Sequence, residues 1–188
     1  MNYQYRRDVR TDKEFKDDIK HTTKKEKFLV EVYRRELKHR GIIITVSDNG
    51  IDNTGKVIKG NVDCRGDFTI ENENGDSWIA EIKNSPVATK CTFKVASLQA
   101  YVRDSTSILL FMNTGNINKD LSKMDYDDTR WATVTPTSIA LMLENKKDNY
   151  YNEYMFGGKE CLKILKAEYD AYFITEELTY HKGRSNDH

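Results

Sequence analysis

Two carboxylates and one ammonium stand at a spacing that can bring them to one place. Residues 62–83 read VDCRGDFTIENENGDSWIAEIK. Two β-prone runs, 67–71 and 78–83, flank a turn-rich 72–77 containing Asn74-Gly75, a dipeptide suited to a tight hairpin turn. Side chains alternate along a strand, so Glu81 and Lys83 share one face while Ala80 and Ile82 take the other. Asp67 opens the partner strand and can lie beside that pair. Charge inside a fold has to be paired or metal-bound. Two hard oxygen donors suit Mg²⁺ or Mn²⁺, and a nearby ammonium can orient or activate a water. Asp63 is a second acid close by, but its Gly- and Asn-rich corner favours a turn role.

The elements that must position these groups can be read along the chain. Thr11-Asp12-Lys13-Glu14 has capping-box form and predicts a short helix. Thr23-Lys24-Lys25-Glu26 is a second box and predicts a stronger helix reaching about Arg40, with Gly41 as its stop. Leu29, Val30, Tyr33 and Leu37 make its apolar face. A strand over 42–46 and a long loop over 47–61 lead to the hairpin. After Asn84-Ser85-Pro86 a helix is expected over 92–103, with Phe93, Ala96 and Ala100 inward. Residues 107–112 (SILLFM) are nearly all apolar, the pattern of a strand buried on both faces. A polar, acidic, mobile surface loop is expected over 113–130, before a short strand over 131–135. Pro136 opens a helix over 137–143, and a Tyr- and Asn-rich connection fills 145–158. A final helix over 159–178 would carry Leu162, Leu165, Tyr169 and Phe173, before a loose tail over 181–188. The expected class is α/β: a mixed central sheet flanked by helices, with a C-terminal helical extension.

Composition narrows the surroundings. The 188 residues suit one domain, and 30 basic against 30 acidic side chains leave no net charge, so whole-chain charge argues neither for nor against nucleic acid. Cys64, Cys91 and Cys161 are far apart and show no C-x-x-C spacing, which reads as free thiols in a reducing cytoplasm. His21, His39, His181 and His188 have no metal-ligand spacing. No apolar run approaches membrane-spanning length, and no phosphate-binding G-x-x-x-x-G-K-[ST] loop is present.

Asp67 followed by Glu81-x-Lys83 on a hairpin, preceded by a helix with an inward glutamate, resembles the PD-(D/E)XK nuclease superfamily. The likeness is to its Holliday junction resolvase, RecB-like and phage nuclease branches. Gly66 stands where the family name has proline. The resemblance implies a restriction-endonuclease-like αβββαβ core over 23–135, an N-terminal extension over 1–22, and C-terminal helices and tail over 136–188. It implies a Mg²⁺- or Mn²⁺-dependent nuclease cutting DNA, with Glu26, Asp67, Glu81 and the Ile82 carbonyl as metal ligands. Lys83 would serve the water or the scissile phosphate. Glu36 competes with Glu26 for the helix position, since both fall on the apolar arc, whereas Glu31 lies among Arg34, Arg35 and Lys38. Glu26 has a purely structural alternative in its capping box. Gln99, in Gln99-x-Tyr101, resembles the glutamine that RecB-like and λ-type exonucleases direct at the metal. Lys24, Lys25, Lys90 and Lys94 are the candidate phosphate contacts. Members that cut two strands pair as homodimers, and the small size suits a phage or mobile-element protein. The alternatives are a catalytically silent module of the same fold that binds nucleic acid or protein, and an RNA endonuclease.

Overall fold

The structure is a computed structural model, and it describes residues 12–49 and 66–180. Thr11, most of the expected 47–61 loop, Asp63, Cys64, His181, His188 and the expected tail lie outside the described residues. The chain order is α1 (Asp12–His39), β1 (Ile44–Asp48), β2 (Phe68–Asn72), β3 (Ser77–Ser85), β4 (Lys90–Lys94) and α2 (Val95–Arg103). It continues with β5 (Thr106–Met112), β6 (Arg130–Val134), α3 (Pro136–Asn145), β7 (Tyr150–Glu153), β8 (Lys159–Leu165), α4 (Tyr169–Tyr172) and β9 (Ile174–Glu177). Short 3₁₀ turns punctuate the connections.

Where two helices are expected there is one. No Gly or Pro interrupts 12–39, so α1 runs unbroken through the second capping box and Thr23 caps nothing. The stop is as expected. Gly41 sits at φ +80°, the Gly41 N–H bonds the Lys38 carbonyl, and the Ile42 N–H reaches back to the Leu37 carbonyl, closing a Schellman motif. The apolar face buries Leu29, Val30, Tyr33 and Leu37 as predicted, and Val32 and Glu36 with them.

Six strands form one mixed sheet in the order β1-β2-β3-β5-β6-β9. Only β3 and β5 are parallel, joined by the crossover through β4 and α2. The hairpin turn takes four residues rather than two. Gly75 adopts φ +82°, and the Asn72 side chain accepts from the N–H groups of Asn74 and Asp76. The two sheet faces feed two cores. Leu29, Tyr33, Phe68, Ile82, Phe111 and Trp131 pack on the α1 side; Leu98, Ile108, Leu110, Ile139, Leu162 and Ile164 pack on the other. The centre of both is β5, buried at all seven positions.

Several expectations fail. Residues 92–94 belong to β4, and α2 turns Val95, Leu98 and Tyr101 inward while Ala96 is exposed. The final helix over 159–178 is absent. Its first half is β8, which pairs with β4 and β7 in a second, three-stranded antiparallel sheet, and its last residues form β9 at the edge of the main sheet. The 113–130 loop is anchored, not free: Thr114, Ile117, Met124 and Thr129 are buried, and the Thr129 hydroxyl bonds the Asn113 carbonyl at 3.1 Å. Among the described residues no helix is long and apolar enough to cross a membrane.

Candidate active site

The site is made by a mismatch in strand length. The β2–β3 ladder ends at Phe68 opposite Ala80, whereas β3 continues to Ser85. Beyond Ala80 the outer edge of β3 loses its strand partner. A backbone N–H left bare in a half-buried site is costly, and Asp67 supplies the missing acceptor: the Ile82 N–H donates to Asp67 Oδ2 at 2.9 Å. The contact at Ile82 is therefore through its N–H. Gly66 lets the chain enter at this point, since a Cβ there would lie 2.8 Å from the Ala80 carbonyl oxygen and from Thr106 Cγ2. Proline, like any larger residue, does not fit.

Alternation along β3 sends Glu81 and Lys83 to the face opposite Ile82. Lys83 forms an ion pair with Glu81, and the Tyr101 hydroxyl of α2 donates to Glu81 Oε1 at 2.8 Å. The Lys83 ammonium also lies 6.0 Å from the centre of the Tyr101 ring. Glu26 approaches from α1, within range of the charges of Asp67, Lys83 and Glu81. Lys25 stands beside it, with its ammonium on the Asn118 side-chain oxygen at 3.1 Å.

Electrostatics show how crowded the negative charge is. Burial, then the neighbouring Asp67 carboxylate, raises Glu26 to about 8. Burial, then Glu81, raises Asp67 to about 7. Lys83 moves up as well: burial opposes its charge, but Glu81 and Asp67 together outweigh it. Lys25 is lowered, by burial first and by Lys83. Tyr101 is raised, by burial and then by Glu81 despite the opposing Lys83.

The structure brings together Glu26, Asp67, Glu81, Lys83 and Lys25, with Lys94 within range of the Lys83 charge. Gln99 is exposed. Two residues on a helix are some 200° apart, so the inward place belongs to Tyr101. Tyr101 was legible as the third member of the Val95–Leu98–Tyr101 stripe, an apolar body ending in a polar tip. Glu36 is fully buried but elsewhere, accepting from the Thr179 N–H and hydroxyl, the Tyr180 N–H and Arg40. Glu31 holds Arg34 and Arg35 on the wet side of α1. Lys24 is exposed, and Lys90 and Lys94 lie on β4, not in a helix.

The donor set suits a hard cation in chemistry: three carboxylate side chains against the two ammoniums of Lys83 and Lys25 leave negative charge in surplus. It is not a closed cage. Among the described residues no three acidic, histidine or cysteine side chains are grouped to hold an ion; Asp67 Oδ2 accepts from Ile82, and Glu81 Oε1 from Lys83 and Tyr101. The chain matches no family model, no curated protein and no solved structure.

Proposed function

We propose that the chain is a metal-dependent nuclease hydrolysing DNA phosphodiester bonds on a restriction-endonuclease-like core, with β4 inserted before the crossover helix. One observation carries this reading. Carboxylates from three separate elements, Glu26, Asp67 and Glu81, crowd around Lys83 where the edge of β3 opens. Such crowding costs stability, and a structural role would be served better by apolar or neutral side chains.

Glu26, Asp67 and Glu81 would hold Mg²⁺ or Mn²⁺, with the Ile82 carbonyl as a further oxygen. The ion, when bound, lowers the pKa of a water and offsets charge on the phosphate. The rest falls to side chains of the protein. Lys83 presents its ammonium to a non-bridging phosphate oxygen, where negative charge grows as the water oxygen bonds to phosphorus, loses its proton to solvent, and the bond from phosphorus to the sugar oxygen breaks, that oxygen leaving as a hydroxyl after taking a proton from solvent. Tyr101 fixes the Glu81 rotamer through its hydroxyl. Lys25, steadied by Asn118, adds positive charge beside Glu26.

Labelled single-stranded, duplex and junction DNA, and RNA, incubated with Mg²⁺, Mn²⁺ or EDTA, test the reading. DNA should be cut with either ion and not in EDTA. Asp67→Asn and Lys83→Ala should each slow cutting by about 10²-fold or more, and Lys83→Ala should still bind the ion in a calorimetric titration. Undiminished cutting in EDTA, or by Lys83→Ala, rejects the assignment. Cutting of RNA alone replaces DNA as the substrate.

A further inference from the structure

The small sheet β4-β8-β7 has one face in the core and one outside, and directly paired residues of an antiparallel sheet share a face. Phe93, Leu162 and Ile164 fill the inner side. The pairs Lys90–Leu165, Thr92–Lys163, Lys94–Cys161 and Glu153–Lys159 therefore lie on the other one, which is covered at the fully buried Cys161 and open at Lys90 and Lys159. This face carries four lysines on two adjacent strands, Lys90 and Lys94 on β4 and Lys159 and Lys163 on β8. None of the four is held in an ion pair by a described residue. The one carboxylate of the strands on this face is Glu153, opposite Lys159.

Two of the ammoniums are fixed in place. Lys163 Nζ lies 5.0 Å from the Tyr151 ring centre, and Lys94 Nζ lies 5.3 Å from that of Phe156. A charge already ordered over an aromatic face loses less entropy when it meets a ligand. The face also leads to the carboxylate cluster. The Ser85 hydroxyl at the end of β3 bonds the Lys90 carbonyl at 3.0 Å, tying β4 to the strand of Glu81 and Lys83. Lys94 immediately precedes α2, which brings Tyr101 to Glu81. Lys94 is lowered by burial and then by the charges of Lys159 and Lys83, both of which lie within its range.

We infer that this outer face is a track for a nucleic-acid backbone: phosphates of one strand run past Lys90, Lys163, Lys94 and Lys159, the order that the strand register sets, with the junction of Lys94 and α2 leading to Lys83. The inference deepens the nuclease reading and rests on it for the direction of the track. Two rows of lysines, one lysine in each over an aromatic ring and none with an ion-pair partner among the described residues, match a chain of regularly spaced phosphates.

The test is equilibrium binding of fluorescent 30-nucleotide DNA and RNA strands in EDTA, so that no turnover occurs, over a range of salt. The proteins are the wild type, Lys159→Gln/Lys163→Gln and Lys159→Arg/Lys163→Arg. The glutamine pair should bind at least tenfold more weakly, with the slope of log affinity against log salt reduced by about 1.4, some 0.7 for each phosphate that the protein no longer neutralises. The arginine pair should bind as the wild type does. Should the glutamine pair lower the melting temperature, the exposed Lys159→Gln alone should reduce the slope by about 0.7. Unchanged affinity and slope in a folded glutamine variant overturn the inference. So does lysine-dependent binding of polyglutamate without binding of either nucleic acid, which assigns the face to an acidic protein. Failure of the nuclease reading looks different: lysine-dependent binding in EDTA with no cutting under any ion keeps the track and removes the reaction.

Discussion

At the scale of single residues, three glutamates of α1 stand in three environments, and each predicts a different loss. Glu26 joins the cluster, Glu31 pairs with surface arginines, and Glu36 is buried under Thr179 and Tyr180. Glu26→Gln should lose most of the activity while keeping or raising the melting temperature without metal, because it removes like-charge repulsion. At about 2–4 °C per kcal/mol for a chain of this size, even partial relief is measurable. Glu31→Gln should change neither by much, as exposed pairs contribute about 0–1 kcal/mol. Glu36→Ala should cost about 3–5 kcal/mol of stability, since Arg40 and two backbone N–H groups lose a buried acceptor, yet leave turnover per folded molecule intact. Activity and melting temperature of the three variants decide this. Loss of turnover in Glu36→Ala with none in Glu26→Gln would move the helix contribution away from Glu26.

At the scale of elements, the entry to β2 is the tightest point. Gly66→Ala places a methyl 2.8 Å from the Ala80 carbonyl oxygen, and that backbone belongs to a paired strand that cannot retreat. The cost should be about 1–3 kcal/mol, with Asp67 displaced and cutting impaired at temperatures where the variant is folded. Melting curves and rates for Gly66→Ala beside Gly66→Ser check this, and a wild-type rate in Gly66→Ala would show that Asp67 need not be held so closely. The hairpin and its Glu-x-Lys were legible because alternation and a turn dipeptide are local signals. So was β5, whose unbroken apolar run matches a strand covered on both faces. β8 and β9 were not. Leu162, Leu165, Tyr169 and Phe173 have helical spacing, but β8 answers to β4, some 70 residues earlier, and no local pattern encodes that pairing. The same error hid Lys159 and Lys163: four apart they share a helix face, and equally a strand face. Gln99 was a matter of phase, since α2 begins three residues later than its apolar pattern suggested.

For the whole molecule the cited shifts oppose one another along the pH axis. Glu31, held by Arg34 and Arg35 at about 2, and Glu36, lowered by Thr179, Tyr180 and Arg40 despite its burial, bind their protons less readily folded than unfolded. Their contribution is present above the ordinary glutamate range and fades as pH falls through their folded values. Glu26, raised to about 8, and Asp67, raised to about 7, bind protons more readily folded. Their penalty is absent below the unfolded carboxylate range and grows as pH rises towards 8. The melting temperature in EDTA should therefore peak near the unfolded carboxylate range, about pH 4–5, and decline towards pH 8. Glu26→Gln should flatten the alkaline side. Mg²⁺ should raise the melting temperature more at pH 8 than at pH 6, because it competes with those protons. A flat profile from pH 5 to 8, unaltered by Glu26→Gln, would mean that the carboxylates do not crowd one another.

The Glu36 clamp also constrains how the chain is made. Its carboxylate lies near the end of the first helix, and its partners Thr179 and Tyr180 follow 143 and 144 residues later. During synthesis α1 emerges with an acid whose Thr179 and Tyr180 donors are missing until almost the whole described chain has followed. At about 5–20 residues per second that wait lasts on the order of ten seconds. Over this interval Glu36 keeps water at the C-terminal end of α1, and Arg40 is its available partner. A nascent chain arrested before residue 179 should leave that end of the helix open to protease, and one extended past residue 180 should close it.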